Sequence, residues 1–403
     1  MTSFCTRINQ ISKNLSFLKT PLKKNIRLSE KFNAEIFIKR EDLQESRSFK
    51  IRGAYHKIHN LSNNQKNQGI SCASAGNHAQ GVAYTCSKLK IKGDIFLPEN
   101  TPGQKINRIK YFSGKYCKIH LYGQNFDECL NKSLEYSKNN NKIFIHPYND
   151  LDIISGQATI ASEIKYEIGT PDIIISTIGG GGLISGIAKY FKNSCQIIGV
   201  EPVACPSMYN SIHNNKITYT KPDNNFVDGA TVPIIGDITF DICKKYVNKI
   251  YPVSNGEICE EMLNLYKNDG IIAEPAGSMP FTILDKIDIK NKKVVCILSG
   301  GNNDITRYPE IIDTYLRYKN LKHYFIIEFT QKPGELKKFV SNILNKNDDI
   351  VRFEYLKKTN KDIGKALVGI QSSNIENIYN NLSSHNFNYI KINENDILYQ
   401  YLI

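Results

Sequence analysis

The sequence has no apolar run of about 18 residues, no C-x-x-C pair and no Arg-rich tract, and each absence removes a class of protein. Without such a run no segment reads as a bilayer-spanning helix. Met1 to Ile11 carries no apolar h-region, so no secretory signal is expected. The 10 cysteines are scattered. Several, Cys72 and Cys296 among them, stand in apolar runs where a thiol behaves as a small hydrophobe. This usage suits a reducing cytoplasm and speaks against a disulfide framework or a zinc site. His56 and His59 lie one helical turn apart with no third ligand nearby. They are expected to share a solvent-facing helix face, and no metal is expected. The net charge of +13 invites a nucleic-acid reading. The lysines, however, are spread along a chain rich in Asn and Ile, with no aromatic interleaving on a basic face. Neither nucleic acid nor a membrane is an expected partner.

What is present is a soluble globular composition: 403 residues, 41% hydrophobic and 23% charged. That length is too great for one ordinary core. Residues 1 to 34 are polar and helical in part, with Thr20-Pro21-Leu22 as a turn into the folded body. From Glu35 onward, short β-rich runs alternate with helical stretches, the pattern of a parallel α/β sheet. Three strand–turn–helix units stand out. They turn at Ser74-Ala75-Gly76-Asn77, at Gly179-Gly180-Gly181-Gly182 and at Ser299-Gly300-Gly301-Asn302. Ligands bind at the carboxyl ends of strands in such sheets, so the three turns are candidates to line one cleft. The character changes near residue 320. Strand and helix patterns then follow in the order βαββαβ, the ferredoxin-like split motif, with strand-like Tyr389–Ile392 and Ile397–Tyr401 near its end. The expected division is 1–320, with a smaller α/β subdomain at about 45–145, and 322–403.

The four glycines at 179 to 182 are the most specific local signal. Between a buried strand and a helix they expose backbone N–H groups at a positive helix end, which suits a phosphate. Leu183 follows them where a Walker motif would need lysine, which disfavours a nucleoside triphosphatase. A nicotinamide dinucleotide is a competing ligand. Gly180-Gly181-Gly182 with Ser185 approaches G-x-G-x-x-G, and Glu201 ends the next strand where a ribose-binding acid would stand. That reading gives no task to Lys50, Asn77 or Ser299. Pyridoxal 5′-phosphate gives a task to all of them: a lysine for a Schiff base, a glycine cradle for the phosphate and partners for the ring heteroatoms.

Ser48-Phe-Lys-Ile-Arg-Gly-Ala54, Ser74-Ala-Gly-Asn-His-Ala79, Gly179-Gly-Gly-Gly-Leu183 and Ser299-Gly-Gly-Asn302 resemble the motifs of the serine/threonine dehydratases over about residues 15 to 320. The resemblance implies a tryptophan-synthase-β-like pyridoxal-phosphate fold (fold type II), α/β, followed by an α+β ferredoxin-like ACT-like domain. It further implies that Lys50 holds the cofactor and removes the substrate's α-proton. Asn77 would meet the ring's phenolic oxygen, Gly179, Gly180, Gly181, Gly182 and Leu183 the phosphate, and Ser299 the ring nitrogen. Ser74, Ala75, Gly76 and Asn77 would receive the substrate carboxylate. The implied reaction is α,β-elimination of ammonia from L-threonine, with L-serine as a second substrate. Ala75 stands where a related racemase has its second acid/base, which favours a one-face dehydratase. Cys205 and Ser207 follow Glu201 where cation-binding relatives have further ligands, so Glu201 is expected to be a helix or turn partner. Arg52 and Glu274 are embedded in motifs without an assignable step. Catabolic members end near 320 or 330. Biosynthetic ones add one or two ACT-like domains that bind isoleucine, and the turn at Pro333-Gly334 resembles their ligand loop. The expectation is therefore a cytoplasmic, homotetrameric biosynthetic member with isoleucine as effector. A catabolic dehydratase, a nicotinamide oxidoreductase and a non-catalytic amino-acid sensor are the alternatives.

Overall fold

The computed structural model describes residues 3–355 and 361–393. The chain divides into two compact units, Met1–Asn303 and Asp304–Ile403. The first holds two sheets, built from β1 (Leu22–Lys24), β2 (Glu35–Arg40), β3 (Ile70–Ala73), β4 (Gly93–Leu97), β5 (Cys117–Leu121), β6 (Ile143–Phe144), β7 (Ile173–Thr177), β8 (Gln196–Pro202), β9 (Lys249–Val253) and β10 (Lys293–Leu298).

Six strands run in the order β1-β2-β10-β7-β8-β9, and four in the order β5-β4-β3-β6. Every pairing is parallel except β1 with β2. β7 and the last five residues of β10 are buried throughout. Their unbroken apolar runs are those of strands covered on both faces. The stretch expected only as a turn, Thr20-Pro21-Leu22, leads directly into β1. Pro21 is tolerated there because it precedes an edge strand and needs no ladder N–H; its carbonyl accepts from Arg40 at 3.0 Å.

Helices cover these sheets and set the start of the Lys50–His59 helix. That helix packs against Asn77–Leu89 and Leu151–Gln157. The approach to Leu151–Gln157 is close: a Cβ on Gly156 would lie 2.6 Å from Gly53 Cα. The same packing corrects the expectation for the histidine pair. His56 is 7% exposed, whereas His59 faces solvent. Burial pushes the His56 imidazole down to about 4, so it is neutral at physiological pH.

The second unit contains β11 (Lys322–Thr330), β12 (Asp349–Tyr355), β13 (Ile363–Gln371) and β14 (Tyr389–Ile392), with helices at Glu335–Ile343 and Ile375–Ser384. The order β12-β13-β11-β14, antiparallel throughout, is that of the split βαββαβ motif. Phe325, Phe329, Phe339, Val368, Ile378 and Leu382 form its core. The helix Tyr308–Tyr318 belongs to this unit; its Asp313 accepts from Lys322 Nζ at 2.5 Å and from the Tyr324 hydroxyl at 3.1 Å. The expected strand Ile397–Tyr401 lies outside the described residues. Among the described residues no helix is long and apolar enough to cross a membrane.

Candidate active site

Lys50 is the first residue of its helix. Its Nζ donates to the Pro147 carbonyl at 3.0 Å and lies 5.3 Å from the Phe49 ring centroid. Burial lowers its pKa to about 8, against the opposing pull of the Glu274 carboxylate. Near pH 8 about half of such amines are therefore neutral, the form that acts as nucleophile or base.

Two residues on, Arg52 is fully buried. Its guanidinium donates to both oxygens of Glu41 at 2.8 Å, and to Glu163 at 2.5 and 2.9 Å. Lys39 completes the cluster, reaching Glu163 at 2.5 Å and the Thr20 carbonyl at 2.6 Å. Two cations and two anions thus form a neutral buried quartet that fixes the helix carrying Lys50. This answers what Arg52 does: it acts on packing and holds no reacting atom.

Asn77 begins the helix after β3, with Gly76 as its N-cap and no side-chain cap. The Ser74 hydroxyl accepts from the Gly76 N–H at 3.2 Å. Ala75 adds only a methyl group, and the Ser74 N–H donates to the Phe96 carbonyl at 3.1 Å, which leaves the Ala75 and Asn77 amides for a ligand. The Asn77 amide spans the cleft. Its Oδ1 accepts from Asn302 at 2.7 Å, and its Nδ2 donates to both Glu274 oxygens at 2.8 and 3.0 Å.

The glycine loop follows β7. Among the described residues none of the N–H groups of 179 to 183 donates to a protein acceptor. Gly181 has φ +88°, open to glycine at little cost. Gly180 lies flat beneath Tyr148: a Cβ there would fall 2.3 Å from the ring. Leu183 sends its side chain into the core and leaves its N–H at the loop. Ser299, at the end of β10, is 3% exposed. Its carbonyl accepts from Phe49 N–H at 3.0 Å, and Ser48 bridges to Gly300. The end of β10 is thereby stitched to the residues just before Lys50.

These features accept pyridoxal 5′-phosphate. Five open amides suit a phosphate, a glycine admits it beside an aromatic floor, and the hydroxyl at the end of β10 suits a ring nitrogen. The nicotinamide alternative loses its acid. Glu201 is 1% exposed, and its two oxygens accept from the Met208 and Tyr209 N–H groups at 2.9 and 2.8 Å. It is the turn partner expected of it, although burial pushes its carboxyl up to about 8. Among the described residues no group of three His, Cys, Asp or Glu side chains is placed to hold a metal.

Sequence reasoning missed two participants, Tyr148 and His146, and left a third, Glu274, without a task. Tyr148 floors the loop. His146, whose Nδ1 accepts from the Tyr148 and Asn149 N–H groups at 3.2 and 2.8 Å, anchors that floor. Glu274 holds Asn77. The Pro147 turn after β6 was an available signal, hidden because β6 has only two residues.

Residues 14–300 match the family described as pyridoxal-phosphate dependent enzyme. Residues 315–402 match the C-terminal regulatory domain of threonine dehydratase. The chain is 45% identical to a biosynthetic L-threonine dehydratase of Halalkalibacterium halodurans over 98% of its own length and 97% of that protein's. It is 47% identical to a Staphylococcus epidermidis protein of the same name, over 96% and 94%. Among solved structures, the processed form of threonine deaminase isoform 2 from Solanum lycopersicum aligns with a TM-score of 0.73 and 32% identity, covering 77% of this chain and 93% of that one. A lysine, a glycine cradle and a regulatory βαββαβ unit thus stand in one chain with relatives matched end to end: it belongs to the pyridoxal-phosphate-dependent threonine dehydratase family.

Proposed function

We propose that the chain is a biosynthetic L-threonine ammonia-lyase that converts L-threonine to 2-oxobutanoate and ammonia, the first step from threonine toward isoleucine. The observation that most supports this reading is the convergence of Lys50, Asn77, the Gly179–Gly182 loop and Ser299 at the ends of strands or turns around one cleft. Pyridoxal 5′-phosphate, when bound, supplies the carbonyl that condenses with the substrate amine and the ring that accepts an electron pair from Cα.

The chain's own groups do the rest. Lys50 Nζ, its pKa lowered by burial, takes the proton from Cα. The N–H groups of Ala75 and Asn77, at a helix N-terminus, receive the substrate carboxylate. The N–H groups of Gly179 to Leu183 hold the phosphate; each hydrogen bond to an ionised oxygen contributes about 1.5–3 kcal/mol. Ser299 offers a hydroxyl, not a carboxylate, to the ring nitrogen. A hydroxyl, unlike a carboxylate, would not hold a proton on that nitrogen, which favours loss of the β-hydroxyl over reprotonation at Cα. Ala75 has no proton to return from the opposite face.

The test is turnover of L-threonine and L-serine measured side by side. Formation of 2-oxobutanoate with a visible absorbance band that Lys50→Ala abolishes is the expected result; a band that survives Lys50→Ala sinks the assignment of the lysine.

The second unit gives this enzyme its control. A cavity of about 140 Å³ is lined by Phe329, Gln331, Pro333, Gly334, Phe353 and Tyr355 among others. Both polar atoms of the Gln331 amide are buried without a partner among the described residues. Aromatic walls suit a branched apolar side chain, and an amide that both donates and accepts suits an amino acid's charged groups. Isoleucine is the effector this reading assigns, in a cytoplasmic homotetramer. Calorimetric titration with isoleucine is the test: Gln331→Leu weakens binding, and absence of any isoleucine effect on rate or binding removes the feedback role. Sedimentation of the purified protein checks the tetramer.

A further inference from the structure

Glu274 stands at the N-cap of the short helix Pro275–Ser278, yet its side chain accepts nothing from that helix. An acid at this position ordinarily takes the helix's own free amides. Here it turns to Asn77 instead, and the surrounding backbone leaves room for it. A Cβ on Gly300 would lie 2.2 Å from Glu274 Oε1, one on Gly301 2.6 Å from the Ile272 carbonyl, and one on Gly277 2.3 Å from the Gly300 carbonyl. The two glycines of Ser299-Gly-Gly-Asn302 therefore admit the carboxylate and the loop segment that brings it.

The orientation of Asn77 is fixed by the same contacts. Asn302 Nδ2 donates to the Ser46 carbonyl and to Asn77 Oδ1, both at 2.7 Å, which uses both of its N–H groups. Asn302 cannot flip, so Asn77 must present its oxygen to Asn302 and its NH₂ to Glu274. One N–H shared across the carboxylate leaves a second one free.

We propose that Glu274 is a positioning residue for the reaction: through Asn77 it fixes the free amide N–H that faces the cofactor's phenolic oxygen, and its charge helps to hold a proton on the nitrogen of Lys50. The proposal rests on the reading in which Lys50 carries the cofactor.

The charges around both groups are consistent with it. Glu274 faces Asn77, Asp228 and Lys105; the last two pair with each other at 2.6 Å. Lys50 faces His78 and His146, which burial lowers to about 3 and about 4, so neither is charged near neutrality. Glu274 is then the anion that acts on Lys50. Burial raises its own carboxyl to about 7, opposed by the Asn77 hydrogen bond.

The experiment titrates the visible absorbance of the purified holoenzyme against pH for the wild type, Glu274→Gln and Asn302→Ala. Removing an opposite charge at short range shifts a neighbouring pKa by about 1–3 units. Glu274→Gln is expected to move the spectral midpoint to lower pH by about that much and to lower kcat. Asn302→Ala keeps the charge and releases the amide. It is expected to leave the midpoint in place and to lower kcat about tenfold or more, the scale of a misplaced group. A Glu274→Gln midpoint equal to that of the wild type overturns the charge role. Should that variant not fold, Asn302→Ala decides alone: unchanged kcat overturns the positioning role. A wild type without a visible band, or a band that survives Lys50→Ala, is instead the failure of the underlying functional reading.

Discussion

Replacing Arg52 by methionine isolates the buried quartet. The side chain keeps its approximate length and loses its charge and five donors. Glu41 is 0% exposed and Glu163 5%, and they would be left with Lys39 as their one cationic partner in the cluster. The quartet then carries a net negative charge away from water. Breaking a buried ion cluster by removing one member costs about 3–5 kcal/mol. Unfolding entropy of about 2.1 cal/mol/K per residue over roughly 300 residues is about 0.6 kcal/mol/K, so the melting temperature of the first unit should fall by about 5–8 °C.

The pH dependence gives a sharper check. In the wild type, burial alone would push the Glu41 carboxyl up, but Arg52 and then Lys39 bring it below its ordinary value. It therefore contributes stability above the ordinary carboxylate range, and this is lost as pH falls through the lowered pKa. In Arg52→Met the burial penalty acts with much less opposition. The folded state then binds a proton more tightly than the unfolded chain, so the defect should shrink as pH falls from 8 toward 5. Thermal melts at several pH values read this directly. A loss smaller than about 1 kcal/mol, or one independent of pH, would refute the idea that an uncompensated buried carboxylate is the cause.

Gly180→Ala would place a methyl group against the Tyr148 ring. An overpacking cost of about 1–3 kcal/mol at the phosphate loop corresponds to roughly five- to 150-fold weaker cofactor binding, measurable by equilibrium dialysis; unchanged affinity would mean that Tyr148 yields freely. Cofactor recapture by the stripped enzyme needs Lys50 neutral, so its rate should rise with pH to half its limit near the pKa of about 8 and level off about one pH unit higher. A rate still climbing at pH 10 would show an ordinary surface-like lysine. Glu201→Ala removes the acceptor of two backbone N–H groups, at about 1–3 kcal/mol each, and chemical denaturation should show the loss.

The parts of the fold that the sequence made legible are those encoded locally. Lys293–Leu298 is a strand because five consecutive apolar residues, Val294 to Leu298, lie between a charged turn and Ser299-Gly300. The βαββαβ order could be read because short β-rich runs alternate with helical stretches that each have their own apolar stripe. Lys50, Asn77, the glycine run and Ser299 were visible because each sits in a short motif. What could not be read depends on partners far along the chain. Arg52 finds Glu163, and Asn77 finds Glu274, only after the sheets have packed. His56 looked like a surface histidine because burial by two helices crossing at Gly53 and Gly156 leaves no periodic trace in its own segment. Thr20-Pro21-Leu22 looked like a turn because a three-residue edge strand is too short to show alternation.

The contact between Gly300 and the Glu274 carboxylate also bears on how such a sequence is free to change. With no room for a Cβ at 300, any mutation there evicts the acid, and a chain that has already lost the acid has less reason to keep the glycine. Among descendants the two positions should therefore drift as a pair, the acid released first and the glycine afterwards. A lineage with alanine at the second position should be one whose chemistry no longer depends on how that asparagine is held.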